Sequence, residues 1–365
     1  MKAEKMKEPR YVGIDLGKRT YEVAIVEKGK VKISNGKTCV AGRQALYKKL
    51  RSVDKVALEA GNLSFIIAKE IEASVGCQVY VLNSSHLPLI YGSMKKTDKE
   101  DSLKLAHIVE DFPEERLPLV PVPSEEEMGR RKLLACYRRG QQSRIREINR
   151  LHGLFLAQGI TTMRKENLAT SESRREAVRT LKGIEREEAK YLIACLDLHE
   201  RQIESLNQKV KEESCGDEVI ERLQSVPGVG PMVAFAFVSH VAAERFKNGS
   251  QVSNYLGLVP RVYISGEMVR YGRITKRGNG YLRALLVQAA WALTRTKQGG
   301  NLKKRFEYMT VEKSISKKKA IVAIARRMAE LLYTLMRDGT RYEIRPFIRE
   351  NKINVEELVR LSISA

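Results

Sequence analysis

The stretch "YVGIDLGKRTYEVAIVEKGKVKIS", residues 11–34, constrains the fold more than any other part of this chain. Val12, Ile14 and Leu16 precede the turn Gly17-Lys18-Arg19-Thr20, and Val23, Ile25 and Val26 follow it. β-Branched residues bounded by turn formers predict two strands, and "KVKIS" (30–34) adds a third. The pattern then changes. "AGRQALYKKL" has helical composition, "KVALEAG" (55–61) reads as a strand, "SFIIAKEIEASV" as a helix, "CQVYVLN" as a strand and "KEDSLKLAHIVEDF" as a helix. Short turns suit antiparallel neighbours and helical crossovers suit parallel ones. Three consecutive strands followed by alternating helices and strands therefore predict a mixed α/β sheet covered by helices over residues 11–112.

Asp15 is out of place in such a strand, because Asp is disfavoured there and rarely buried without a partner. Capping the turn at Gly17 would explain it alone, and so would binding a cation at the centre of the sheet. Three further acids fall where the sheet would bring them towards it. Glu59 ends the strand "VALE", and Asp98 and Asp101 in "KKTDKEDSLKLA" stand three apart at a helix start, on one face. Singly, Asp98 is a good N-cap and Asp101 a favourable first-turn residue. Together, four carboxylates repel one another unless cations occupy the site. Mg²⁺ suits carboxylate oxygens and can polarise a phosphate.

At 365 residues the chain is long enough for two or three domains. Residues 1–116 form the α/β part. "LPLVPVPSEEE" (117–127), with three prolines, reads as a linker. The charged, proline-free sequence that follows has apolar residues at three- and four-residue spacing, so 117–216 are expected to hold a helical hairpin or coiled-coil arm. A mainly α domain takes 217–365. Its "LQSVPGVGPMVAFAFVSHV" has the form of a helix-hairpin-helix, in which Gly228 and Gly230 let the backbone approach a phosphate at a helix N-terminus. A plain helix-turn-helix joint fits the same string. "RVYISGEMVRYGRI" predicts a β-hairpin and "GNGYLRALLVQAAWALTRT" an apolar helix.

Lys and Arg number 66 against 44 Asp and Glu, a formal charge of +22. That surplus favours a polyanionic partner, nucleic acid above all, because each neutralised phosphate releases counterions. No stretch approaches a membrane span, and "MKAEKMKEPR" lacks the apolar run of a signal peptide, so a cytoplasmic protein is expected. The five cysteines are scattered without a C-x-x-C pair, and the five histidines show no ligand spacing, which argues against a zinc site or a disulfide framework.

Taken in order, "VGIDLGKRTYEVAIV", "LEAG" and "KTDKEDSLKLA" resemble the RuvC-like half of the DEDD transposases of insertion sequences, family one hundred and ten. "VPGVGPMVA", "NYLGLVP" and "SGEMVRYGRITKRGNGYLRALLVQAA" resemble that family's second half, its Tnp domain. The resemblance implies a ribonuclease-H-like N-terminal domain, a coiled-coil arm and a Tnp domain. Asp15, Glu59, Asp98 and Asp101 would be the catalytic, Mg²⁺-binding tetrad, and Ser265 the nucleophile. Many relatives carry a second serine and a second glycine around Ser265; Ile264 and Glu267 stand there in this chain. The resemblance further implies donor and target DNA as substrates, guidance by a structured bridge RNA, a prokaryotic, nucleoid-associated setting and a homo-oligomer (dimer or tetramer). Lys18, Gly228, Gly230, Arg270, Arg273, Lys276 and Arg277 are the candidate nucleic-acid contacts. A hydrolytic Holliday-junction nuclease using only the acids is the main alternative. "GIDLGKRT" also resembles the first phosphate loop of actin-like ATPases, but no second Asp-Gly-rich loop follows. A non-catalytic RNA-binding protein would leave four acids in a basic chain unexplained.

Overall fold

A computed structural model describes residues 9–61, 63–84, 98–265 and 268–344. The chain divides into two compact units between Ser124 and Glu125. The first is built on a five-stranded sheet. Strands β1 (Tyr11–Leu16), β2 (Thr20–Glu27) and β3 (Lys30–Lys37) form an antiparallel meander, and helix α1 (Val40–Tyr47) follows. Next come β4 (Lys55–Glu59), α2 (Ser64–Val75), β5 (Gln78–Leu82) and α3 (Asp98–Asp111). β4 runs parallel to β1 and β5 parallel to β4, giving the order β3-β2-β1-β4-β5. The mixed sheet expected from the sequence is present.

Alternation along β1 divides the two faces of this sheet. Val12 and Ile14 pack with Val56, Leu58, Ile67, Ala68 and Ile71 on the side of α2. Gly13 faces the other way, against α3, where a side chain would run into the backbone of Ser102 and Ala106. Only glycine lets the helix lie so close to the central strand. The proline-bearing run read as a linker begins as part of this unit. The Val120 amide donates to the Val81 carbonyl at 2.7 Å and the Asn83 amide to the Pro118 carbonyl at 2.8 Å, so the run lies along the edge strand β5.

The second unit opens with two long antiparallel helices, α4 (Glu125–Ala157) and α6 (Gly183–Ser214), with the short α5 (Ser171–Val178) between them in sequence. Their far end has its own core of Leu151, Phe155, Leu168, Leu192 and Leu196. The guanidinium of Arg174 is fully buried there and pairs with Glu200, with Asp197 beside it at 3.3 Å. Burial works to raise the Glu200 and Asp197 pKa values. Arg174 and Arg144 outweigh it at Glu200, while Ser171, Arg175 and Arg174 do so at Asp197, so both carboxyls titrate below their usual range. Such groups stabilise the fold fully above their unfolded pKa values, and the contribution is lost as pH falls through the depressed folded ones. Acid should therefore loosen the tip of the arm below about pH 4. Arg174→Ala removes the buried guanidinium and leaves the partly exposed Glu200 and Asp197 to Arg144 and Arg175, so it is expected to cost about 1–3 kcal/mol in urea unfolding.

Helices α7 (Glu218–Leu223), α8 (Pro231–His240) and α9 (Gly249–Tyr255) lead into a two-stranded ribbon, β6 (Pro260–Ser265) and β7 (Met268–Ile274). Helices α10 (Gly280–Arg295), α11 (Gly300–Glu307) and α12 (Lys317–Asp338) follow. Apolar faces of α7, α8, α9, α10 and α12 close one core around Phe235, Phe237, Leu286 and Met328. Cys39, Cys77, Cys136, Cys195 and Cys215 are free thiols. Among the described residues no helix is long and apolar enough to cross a membrane.

Candidate functional site

The acids gather at one end of the sheet by backbone placement. Ile14 is level with Leu58 in the parallel pair, so the next residues along these strands are Asp15 and Glu59. Asp15 shares the α3 face of β1 with Gly13, and Glu59 shares it with Ala57, which packs on Leu105 and Ile108 of α3. Because Ser102 lies over Gly13, the first turn of α3, with Asp98 and Asp101, lies towards the Asp15 end. The side chain of Asp98 lies outside the described residues. Asp101 accepts a bond from Lys104 Nζ at 3.1 Å.

One further acid joins this end that the sequence pattern did not single out. Glu22 on β2 stands directly opposite Asp15 in the antiparallel register. Its Oε2 is buried and has no hydrogen-bond partner. Directly opposed like charges destabilise a strand pair, and an unsatisfied buried carboxylate oxygen costs more. The donors at this end of the sheet are all carboxylates, which suits a hard divalent cation in kind. Among the described residues, however, no three acidic, histidine or cysteine side chains already converge as a metal cage. Lys18 lies exposed in the adjoining β1–β2 turn, where its carbonyl accepts from Thr38 Oγ1 at 3.0 Å.

Ser265 ends β6 of the ribbon, exposed to solvent, and its neighbours Gly266 and Glu267 lie outside the described residues. Cross-strand partners are Val262 with Tyr271, Tyr263 with Arg270, Ile264 with Val269 and Ser265 with Met268. Paired residues share a face, and faces alternate along a strand. The ribbon is thus two-sided. Ser265 stands with Tyr263, Met268 and Arg270 on one face, and Val262, Ile264, Val269 and Tyr271 make an apolar strip on the other. Every one of these apolar side chains is exposed. No acid or histidine among the described residues hydrogen-bonds the Ser265 hydroxyl.

Comparison with known proteins finds transposases. The model of the IS116/IS110/IS902 transposase family matches residues 220–307, which hold the helix-hairpin-helix string, the ribbon with Ser265, and α10. A probable family 20 transposase of Pseudomonas aeruginosa is 28% identical over 289 residues, 78% of this chain and 84% of that protein. The transposase for insertion sequence element IS1111A of Coxiella burnetii is 28% identical over 246 residues, 66% of this chain and 67% of its own. That for element IS1328 of Yersinia enterocolitica is 25% identical over 296 residues, 76% and 82%. Residues 220–307 thus match the IS116/IS110/IS902 transposase family, and the chain is similar to these transposases over about two thirds or more of its length.

In this matched segment the two glycines of the "PGVG" turn differ in what they do. Gly228 has a positive φ of 86°, and a side chain there would strike the Ala289 carbonyl and the Leu293 backbone of α10. Its smallness serves helix packing. Gly230 has open space around it and caps the N-terminus of α8, with Pro231 as the first helical residue. The basic segment after β7 is held from below. Lys276 takes a left-handed φ of 57°, and its amide donates to the Gly257 carbonyl at 3.1 Å. Arg283 on α10 donates to the carbonyls of Leu256 (3.0 Å) and Gly278 (3.3 Å) and also to that of Arg277. Burial lowers the Arg283 pKa, though an arginine stays charged under all working conditions. The side chains of Arg270, Arg273, Lys276 and Arg277 all remain exposed. Arg283 is a residue the sequence pattern missed, since it sits in an apolar helix and acts only through backbone carbonyls distant from it.

Proposed function

We propose that this chain is a transposase that cuts and rejoins the DNA of its insertion sequence through a covalent link to Ser265. The observation that carries the reading is the placement of Ser265 on the same face as Arg270 of an exposed ribbon, inside the segment that matches the family. Ser265 Oγ would attack a backbone phosphorus, forming an O–P bond while the P–O bond to one deoxyribose breaks. That deoxyribose leaves as a hydroxyl and takes up the proton. A second DNA hydroxyl then attacks the same phosphorus and releases the serine, so joining needs no ATP. Arg270 on the Ser265 face, with Arg273, Lys276 and Arg277 beyond it, would hold the phosphate and balance its charge.

Asp15, Glu59, Asp98 and Asp101, on a sheet read as ribonuclease-H-like, would hold Mg²⁺, which when bound supplies Lewis-acid polarisation of a phosphate oxygen. The buried, unpartnered Oε2 of Glu22 supports a cation there. The exposed apolar strip of the ribbon supports assembly with a second copy, since an isolated two-stranded ribbon is marginal in water. Guidance by a structured RNA encoded beside the gene completes the proposal.

The test is reconstitution. Purified protein, Mg²⁺, DNA carrying the element's ends and the flanking non-coding transcript should give joined products. RNA affinity should fall steeply as salt rises. If random RNA of equal length binds and supports joining equally well, the guide reading fails. If no mixture joins DNA, the transposition chemistry proposed here fails with it.

A further inference from the structure

Helix α4 carries a stripe that the proposed chemistry does not use. Arg131, Leu134, Ala135, Arg138, Arg139 and Gln142 follow helical spacing and line one side of a cavity of about 260 Å³. Its other walls are His240, at the end of α8, and Asn279 and Tyr281, at the start of α10. Arg131 is fixed in place, with Nε donating to the Ser239 carbonyl at 2.7 Å and Glu127 standing 3.8 Å from Nη2. Arg138 lies over the Tyr281 ring at 5.5 Å, and Arg139 donates only to Cys136 Sγ. Among the described residues neither Arg138 nor Arg139 is paired with an acid. The cavity therefore holds cations that lack counter-charges, above an aromatic face.

Arg139 also borders a second cavity of about 590 Å³ further along α4, lined in part by Ser143, His199, Arg201 and Gln202. His199 Nδ1 is buried there with no hydrogen-bond partner. The two cavities share Arg139, and together they follow α4 from the C-terminal core towards the arm. Arg131 and Arg138 are two helical turns apart, about 10 Å, a distance that spans more than one phosphate of an extended strand.

We infer that this face of α4 is a phosphate track that holds a nucleic-acid backbone, with Arg138 and Arg139 at its junction. The inference rests on the proposed action on nucleic acid, and it adds a binding surface separate from the ribbon and from the acidic end of the sheet. Acidic groups are absent from both cavity linings, which suits a polyanion. Donors such as Gln142, Ser143 and Gln202 suit phosphate oxygens in particular. The polymer could be the DNA substrate or the RNA, since both present the same backbone anion.

The test measures affinity of the full chain for a duplex of the element's end and, separately, for the flanking transcript, across a salt series. The double variant Arg138→Gln/Arg139→Gln should lower the slope of log K against log salt by about 2 with the polymer that occupies the track, and weaken that binding roughly tenfold or more. The slope for the other polymer should stay as in the wild type. Arg186→Gln/Lys190→Gln, which removes the same charge elsewhere on the arm, should leave both slopes unchanged. Equal slopes for wild type and the track variant with both polymers would overturn the inference while leaving the proposed function standing. So would an equal loss in the arm control, which would reduce the effect to net charge. A wild-type chain that binds neither polymer would sink both readings. An unchanged unfolding midpoint checks that the variants fold.

Discussion

Ser265→Ala should abolish strand joining, a loss of roughly 10⁶-fold on the scale of removing an enzyme's nucleophile, while DNA and RNA affinity stay at wild-type values. Ser265 is exposed at the end of β6 and holds nothing together, so its hydroxyl can be lost without disturbing the ribbon. A serine hydroxyl is a weak nucleophile at neutral pH and needs activation. No base touches it among the described residues, so the activating group must come from bound DNA, from a cation or from another part of the assembly. Incubation with labelled target DNA, then denaturation and digestion, should yield a DNA-linked peptide containing Ser265 in the wild type and none in the alanine variant. Ser265→Cys should keep at most a trace, because the thiolate attacks well but its geometry and leaving-group behaviour differ. If Ser265→Ala still cuts and joins, Ser265 is a ribbon residue and the chemistry belongs to the acids alone. Cutting without joining by that variant would instead indicate a hydrolytic nuclease of the Holliday-junction type.

Local pattern made much of the first unit legible. The alternation of Val12, Ile14 and Val23, Ile25 placed β1 and β2, and the switch to helix-strand alternation implied the mixed sheet that is observed. Register was not legible. Whether Glu22 or its neighbour faces Asp15 depends on how many residues the turn after Leu16 consumes, and a slip of one would send Glu22 to the other face. The role of Gly228 was equally hidden. A glycine in a turn reads the same whether it admits a phosphate or a helix, and only the position of Ala289 and Leu293, some sixty residues later, shows the helix. The prolines of 118–123 signal only that no helix forms there, which fits a linker and an edge-docked run alike. The two-sided ribbon lay in plain sight as the alternation Val262-Tyr263-Ile264-Ser265, but an apolar strip without a cover is not what such alternation ordinarily means.

Neutralising Asp15 should remove both recombination and the response of the fold to Mg²⁺. Asp15→Asn keeps the shape of the side chain and removes the charge that faces Glu22 across β1 and β2. Recombination in Mg²⁺ should be lost. Asp101→Ala should lose activity likewise, and neither variant should lose nucleic-acid binding, because a carboxylate attracts phosphate only through its cation. A readout independent of activity is the effect of Mg²⁺ on unfolding. A cation that binds only the folded chain adds about 2.7 kcal/mol at a hundred times its Kd. The wild type should show such a rise, Asp15→Asn little or none, and Glu22→Gln a smaller rise than the wild type if its buried Oε2 contributes to the site. A cation shared between β1, β2, β4 and the first turn of α3 would draw these carboxylates together and favour the folded chain. Full recombination by Asp15→Asn in Mg²⁺, or a metal-induced rise equal to that of the wild type, would show that these acids are only a solvated sheet end and that no cation binds there.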